Sequence, residues 1–119
     1  MTTPDHALES SIVAAGATAP RITPADIAAN ITSEHYFTAG DGIVGEAGGP
    51  GPHTYNSTLD LLTFCVLVLR NGFTVTGESA CASPESFSAE IGRRIARENA
   101  VAKVLPLMGY ELRSKLAAG

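Results

Sequence analysis

Cysteine, histidine and cationic side chains are all scarce in this chain of 119 residues, and each scarcity removes a class of function. Eight Lys and Arg stand against twelve Asp and Glu, for a formal net charge of −4. A dedicated duplex-DNA binder needs a basic surface to displace counterions from phosphates, so that class is set aside. The two cysteines, Cys65 and Cys81, do not form a C-x-x-C pair, and no secretory apolar stretch opens the chain. The expectation is a reduced, intracellular protein without zinc. His6, His35 and His53 are scattered and show no metal-ligand spacing, so neither a metal nor a cofactor is expected. No apolar run approaches the roughly 18 residues of a membrane span. Although glycine is abundant between residues 39 and 58, neither G-x-x-x-x-G-K-[ST] nor G-x-G-x-x-G occurs there, which argues against a phosphate loop.

What is present is a continuous structural pattern from Leu61 to Leu116. LLTFCVLVL leads through Arg70-Asn71-Gly72-Phe73 into FTVTGES, two β-prone runs joined by Asn-Gly. The dipeptide predicts a type I′ hairpin in which Asn71 and Gly72 both take positive φ. That turn sets Val68 opposite Val75, Val66 opposite Gly77 and Phe64 opposite Ser79, and this face reads as core. Cys65, Leu67 and Leu69 fall on the other face. The first strand, apolar on both sides, is placed centrally, and the alternating second strand nearer an edge.

Ser83-Pro84-Glu85 reads as a helix start. At about 100° per residue the stripe facing the sheet would be Phe87, Ile91, Ile95, Ala102 and Leu105, with Glu98 inside it. Pro106 is expected to break or kink that helix, and Met108, Leu112 and Leu116 to begin a last short one. Earlier in the chain, Thr23-Pro24-Ala25-Asp26 marks another helix start, and His35-Tyr36-Phe37-Thr38 a third strand. The expected fold is α+β: a three-stranded antiparallel sheet, hairpin included, packed with helices. Residues 1–20 would form a tail or short helix, and residues 21–119 a single domain with a glycine-rich loop at 39–58.

The chemistry is weighed residue by residue. Gly77-Glu78-Ser79-Ala80-Cys81 is compared with the nucleophile elbow, but Cys81 stands where the last glycine belongs and no histidine follows Ser79. Ser79 is therefore kept as a ligand-binding hydroxyl, and no catalytic residue is assigned. Cys81 has no base tied to it by spacing. Glu98, on the expected apolar stripe, calls for a partner, and Arg94 one turn earlier would make a structural ion pair. Arg93 and Arg97, at i and i+4, offer two guanidinium groups to an anion, with Tyr36 as an aromatic face.

The run FCVLVLRNGFTVTGESACASPESFSAEIGRRIARENAVAKVLPLMGYELR, with SEHYFTAGDGIVG ahead of it, resembles the gp-forty-nine-like family of small proteins from tailed phages and prophages. The likeness spans about residues 22–116. Leu105 departs from the tryptophan associated with the position before the proline. The resemblance implies a phage-encoded accessory protein working in the host bacterial cytoplasm, and it carries no catalytic residue with it. The expected function is accordingly non-enzymatic: binding and blocking a host defence component, either by sequestering a small anionic nucleotide messenger or by inhibiting a host enzyme through protein–protein contact. A small hydrolase or nuclease using Glu98, Glu78 or Cys81 is the alternative. The apolar second face of the central strand points to a homo-oligomer.

Overall fold

The computed structural model describes residues 19–49, 51 and 54–119. The expected tail at residues 1–20 lies almost wholly outside them. Within the described residues, helix α1 (Pro24–Asn30) leads into strand β1 (Ile31–Thr38) and then helix α2 (Ala39–Glu46). A 3-10 turn (Ser57–Leu61) precedes strands β2 (Leu62–Leu69) and β3 (Thr74–Ala80), and a second 3-10 turn (Pro84–Ser86) precedes helix α3 (Ala89–Ala118). The strands form one antiparallel sheet in the order β1-β2-β3, so the doubly apolar strand is central and β3 lies at an edge. The fold is α+β.

Both early helices begin with the same device. The Thr23 hydroxyl accepts from the Asp26 N–H at 3.1 Å, while the Thr23 N–H donates to the Asp26 carboxylate at 2.9 Å. Thr38 and Asp41 repeat this capping box at 2.9 and 3.0 Å. Reciprocal bonds of this kind satisfy two donors that a helix start otherwise leaves open. The second box corrects the expected loop at 39–58: its first eight residues are helical despite their glycines. Gly48 and Gly49, with φ of 104° and 102°, then turn the chain where a side chain would be strained.

The hairpin forms, but one residue out of the expected register. Val68 pairs with Thr74, Leu67 with Val75 and Cys65 with Gly77. Gly72 alone takes positive φ, at 88°, whereas Asn71 does not. The Asn71 side chain instead accepts the Phe73 N–H at 2.9 Å, and the Gly72 N–H donates to the Leu69 carbonyl at 2.9 Å. The result is a three-residue loop closed by a left-handed glycine, rather than a two-residue type I′ turn. A one-residue slip exchanges the faces of a strand. The core face is therefore Thr63, Cys65, Leu67 and Leu69 with Val75 and Gly77, all buried, and Phe64, Val66 and Val68 occupy the other side, partly buried.

Helix α3 covers that core face, and it too is turned from the expected orientation. Gly92, Ala96, Ala100 and Val104 are its buried residues, while Ile91, Ile95 and Leu105 are 51%, 40% and 46% exposed. The reason is close approach. A Cβ at Gly77 would overlap the backbone of Ala96 and Ala100, and one at Gly92 would stand 3.0 Å from the Thr63 hydroxyl. Only the small-residue side lets the helix lie this close to the sheet. Ser88, whose hydroxyl accepts the Ile91 N–H at 3.3 Å, is the cap in place of Ser83. Pro106 does not end α3, which runs on to Ala118. Proline's fixed φ is helical, and Ala102, whose carbonyl loses its partner, is exposed and open to water.

Candidate functional site

Alternation along β1 puts Glu34 and Tyr36 on the face of the sheet that α3 covers, with Cα partners Leu67 and Cys65 on β2. One helical turn separates Arg93 from Arg97 on α3, so both guanidinium groups reach the β1 edge. Arg97 grips Glu34 through two nitrogens, Nε to Oε1 at 2.7 Å and Nη2 to Oε2 at 3.3 Å. The Tyr36 hydroxyl donates to the same Glu34 Oε1 at 2.8 Å. The Arg93 guanidinium lies 5.8 Å from the centre of the Tyr36 ring, a cation–π contact. Three of the residues singled out in the sequence, Tyr36, Arg93 and Arg97, thus meet at one place.

Glu34 organises the group. The Arg97 guanidinium holds its carboxyl below the ordinary glutamate range, with the Tyr36 hydroxyl assisting, and Glu34 in turn raises Arg97. Burial pushes the Tyr36 phenol up, and donation to Glu34 adds to the shift. Burial likewise raises the Cys65 thiol beneath the cluster. Lowering makes the Glu34 carboxylate a weaker base, and raising makes the Cys65 thiol slower to ionise. The pair remains accessible, with the Arg97 and Glu34 side chains 42% and 34% exposed.

Sequence reasoning missed Glu34. Its signal was the spacing of two from Tyr36, visible only if the strand is read from Ile31 rather than from His35.

The remaining residues lie elsewhere. Ser79 lines a cleft of about 130 Å3 with Thr63, Cys81, Phe87 and Gly92. The Thr63 hydroxyl is buried there without a hydrogen-bond partner. The Cys81 thiol donates to the Ser83 carbonyl at 3.2 Å. His35 sits on the opposite sheet face, within hydrogen-bond distance of Ser33 at 3.1 Å, so it is no base for Cys81. His6 and His53 lie outside the described residues. Glu98 is exposed, and no ion pair joins it to Arg94 among the described residues. That expected pair is corrected by the orientation of α3: Glu98 belongs to the side turned away from the sheet, where a carboxylate needs no partner.

Among the described residues no group of three His, Cys, Asp or Glu is placed to hold a metal, and no helix is long and apolar enough to cross a membrane.

The opposite sheet face carries Phe37 and Phe64, whose ring centres are 5.5 Å apart, followed by Val66 and Val68. Phe37 is 37% exposed.

Neither a curated protein nor a solved structure matches the chain. A family model does, over residues 22–116, from ahead of α1 to within two residues of the end of α3: the chain belongs to the Phage protein (N4 Gp49/phage Sf6 gene 66) family.

Proposed function

We propose that this phage-encoded accessory protein acts by binding a host protein, such as a component of host defence, and not by catalysis. The contact is made at the β1–α3 edge through Tyr36, Arg93 and the Arg97–Glu34 pair. The observation that carries this reading is the occupation of Arg97: its fork is already spent on Glu34, so the edge presents a mixed pattern of cation, carboxylate and ring. Such a pattern complements the mixed charges of a protein surface better than a phosphate, which would need both guanidinium forks free. Tyr and Arg are also the side chains that most often anchor protein interfaces.

A second reading, sequestration of an anionic nucleotide messenger, is favoured by one observation. Arg93 is exposed, and its guanidinium lies over a ring, not against a carboxylate. Calorimetry against cyclic mono- and dinucleotides separates the two readings. Protein recognition predicts no saturable heat with any of them at micromolar concentrations, together with loss of the phage phenotype in Tyr36→Ala and in Arg93→Glu. Micromolar nucleotide binding abolished by Arg93→Ala would replace it with the messenger reading, and turnover of the ligand would restore the enzymatic alternative.

A further inference from the structure

The side of α3 turned away from the sheet is not an ordinary solvated face. Ile91, Ile95, Glu98, Ala102, Leu105, Gly109, Leu112 and Leu116 follow one another at spacings of four, three, four, three, four, three and four. This is a heptad seam, with Ile95, Ala102, Gly109 and Leu116 at one core position and Ile91, Glu98, Leu105 and Leu112 at the other. The seam extends for about 38 Å at 1.5 Å per residue. Leu112 is half-buried, and the other large members stay accessible: Ile91, Ile95, Leu105 and Leu116 are 51%, 40%, 46% and 48% exposed. The helix docks on the sheet through Gly92, Ala96, Ala100 and Val104, so a partner on the seam displaces nothing.

We infer that α3 pairs with α3 of a second copy of this chain, antiparallel, about a two-fold axis near residues 103 and 104. The direction follows from the two seam residues that break the apolar pattern. A parallel, in-register pair would set Glu98 against Glu98 and leave Gly109 against Gly109, which buries like charges in one layer and a void in another. The antiparallel register instead places Glu98 against the second copy's Gly109, where the missing side chain leaves room for the carboxylate to reach water. Leu105 then meets Ala102, a large residue against a small one. Ile95 meets Leu112, and Ile91 meets Leu116. Every layer is thus filled or vented, and the two-fold repeats each one. At the rim Arg94 comes alongside the second copy's Lys115, whose charge is already shared with Glu111 at 3.3 Å within its own helix.

Sedimentation equilibrium of the full chain tests the pairing. The expected result is a dimer at tens of micromolar, shifted at least tenfold toward monomer by Leu105→Asp with an unchanged circular dichroism spectrum. A monomeric wild type, a trimer, or a dimer indifferent to Leu105→Asp overturns the proposal. Direction is tested by charge. Gly109→Glu, at a site where an added Cβ meets nothing within 4 Å, should weaken the dimer at least tenfold, and Glu98→Lys added to it should restore association. Cross-linking in a Cys81→Ser background gives a second readout: Ala102→Cys and Leu105→Cys should form a disulfide dimer when mixed and not separately. Failure of the charge swap, or cross-linking of either variant with itself alone, refutes the antiparallel arrangement.

Discussion

The two sides of α3 differ in a way that hydrophobicity alone would reverse. The side holding Gly92, Ala96, Ala100 and Val104 is buried against the sheet, and the side holding Ile91, Ile95 and Leu105 faces outward. Larger apolar side chains release more free energy on burial, by roughly 25 cal/mol per Å2. The sheet nevertheless receives the smaller ones. The deciding quantity is distance: Gly77 admits the helix backbone where any Cβ would overlap Ala96 and Ala100. Cys65, Leu67, Leu69 and Val75 of the sheet supply the bulk, and α3 supplies the flat surface they pack beneath.

The difference between the sides is broken most severely at its origin. Gly77→Val should push α3 off the sheet. Overpacking at a tight contact costs about 1–3 kcal/mol and occasionally more, and because the obstacle here is helix backbone, a loss at or beyond the upper end is expected in urea unfolding. Ala100→Leu acts on the same interface from the helix side, where Ala100 is fully buried against the sheet. A loss of about 1–3 kcal/mol is expected, with the fold retained.

A smaller effect is expected at the polar edge. Because Arg97 lowers the Glu34 carboxyl, the pair's contribution is present in full above the ordinary glutamate value of 4.5 and is lost as pH falls through the lowered one. With both side chains about a third or more exposed, it amounts to no more than about 1 kcal/mol. Glu34→Gln should therefore be less stable than wild type near neutrality, and the gap should close in acid. A gap that persists at low pH would show that Glu34 acts by packing instead of charge. The smallest change belongs to the outward side: Ile95→Ser, read at a dilution where the chain is monomeric, should stay within about 0.5 kcal/mol of wild type.

How much of this was legible in the sequence follows the range of the interactions. Thr23-Pro24-Ala25-Asp26 announced α1 because its capping box is local, and β2 declared itself central by being apolar on both faces. Tyr36, Arg93 and Arg97 were singled out by type and spacing alone. Three features hid because each depends on a partner remote in the chain or on a competing local bond. The hairpin register turned on the Asn71 side chain capping Phe73, which outweighed the preference of Asn-Gly for a two-residue turn. The orientation of α3 turned on a close approach to Gly77 that no helical periodicity records. The helix over Ala39–Glu46 contains three glycines, and propensity argued against it until the Thr38–Asp41 box is counted. Arg94 and Glu98 were misjudged for the same reason as α3 itself.

Pro106 interrupts no helix, yet it removes one amide from the middle of a hydrogen-bond ladder that runs from Ala89 to Ala118. Upstream of it the ladder is held down by the sheet through Ala96, Ala100 and Val104, whereas from Arg113 onward every residue is exposed. The two stretches are therefore coupled through one bond fewer than in an uninterrupted helix. Local openings in proteins follow such seams of weak support, and their free energies range from near zero to the full global stability. In deuterium exchange at a dilution where the chain is monomeric, the amides from Arg113 to Ala118 should relax through fraying that leaves those of Ala96 and Ala100 protected, so that a single continuous helix behaves as two kinetic bodies joined at a residue with no proton to exchange.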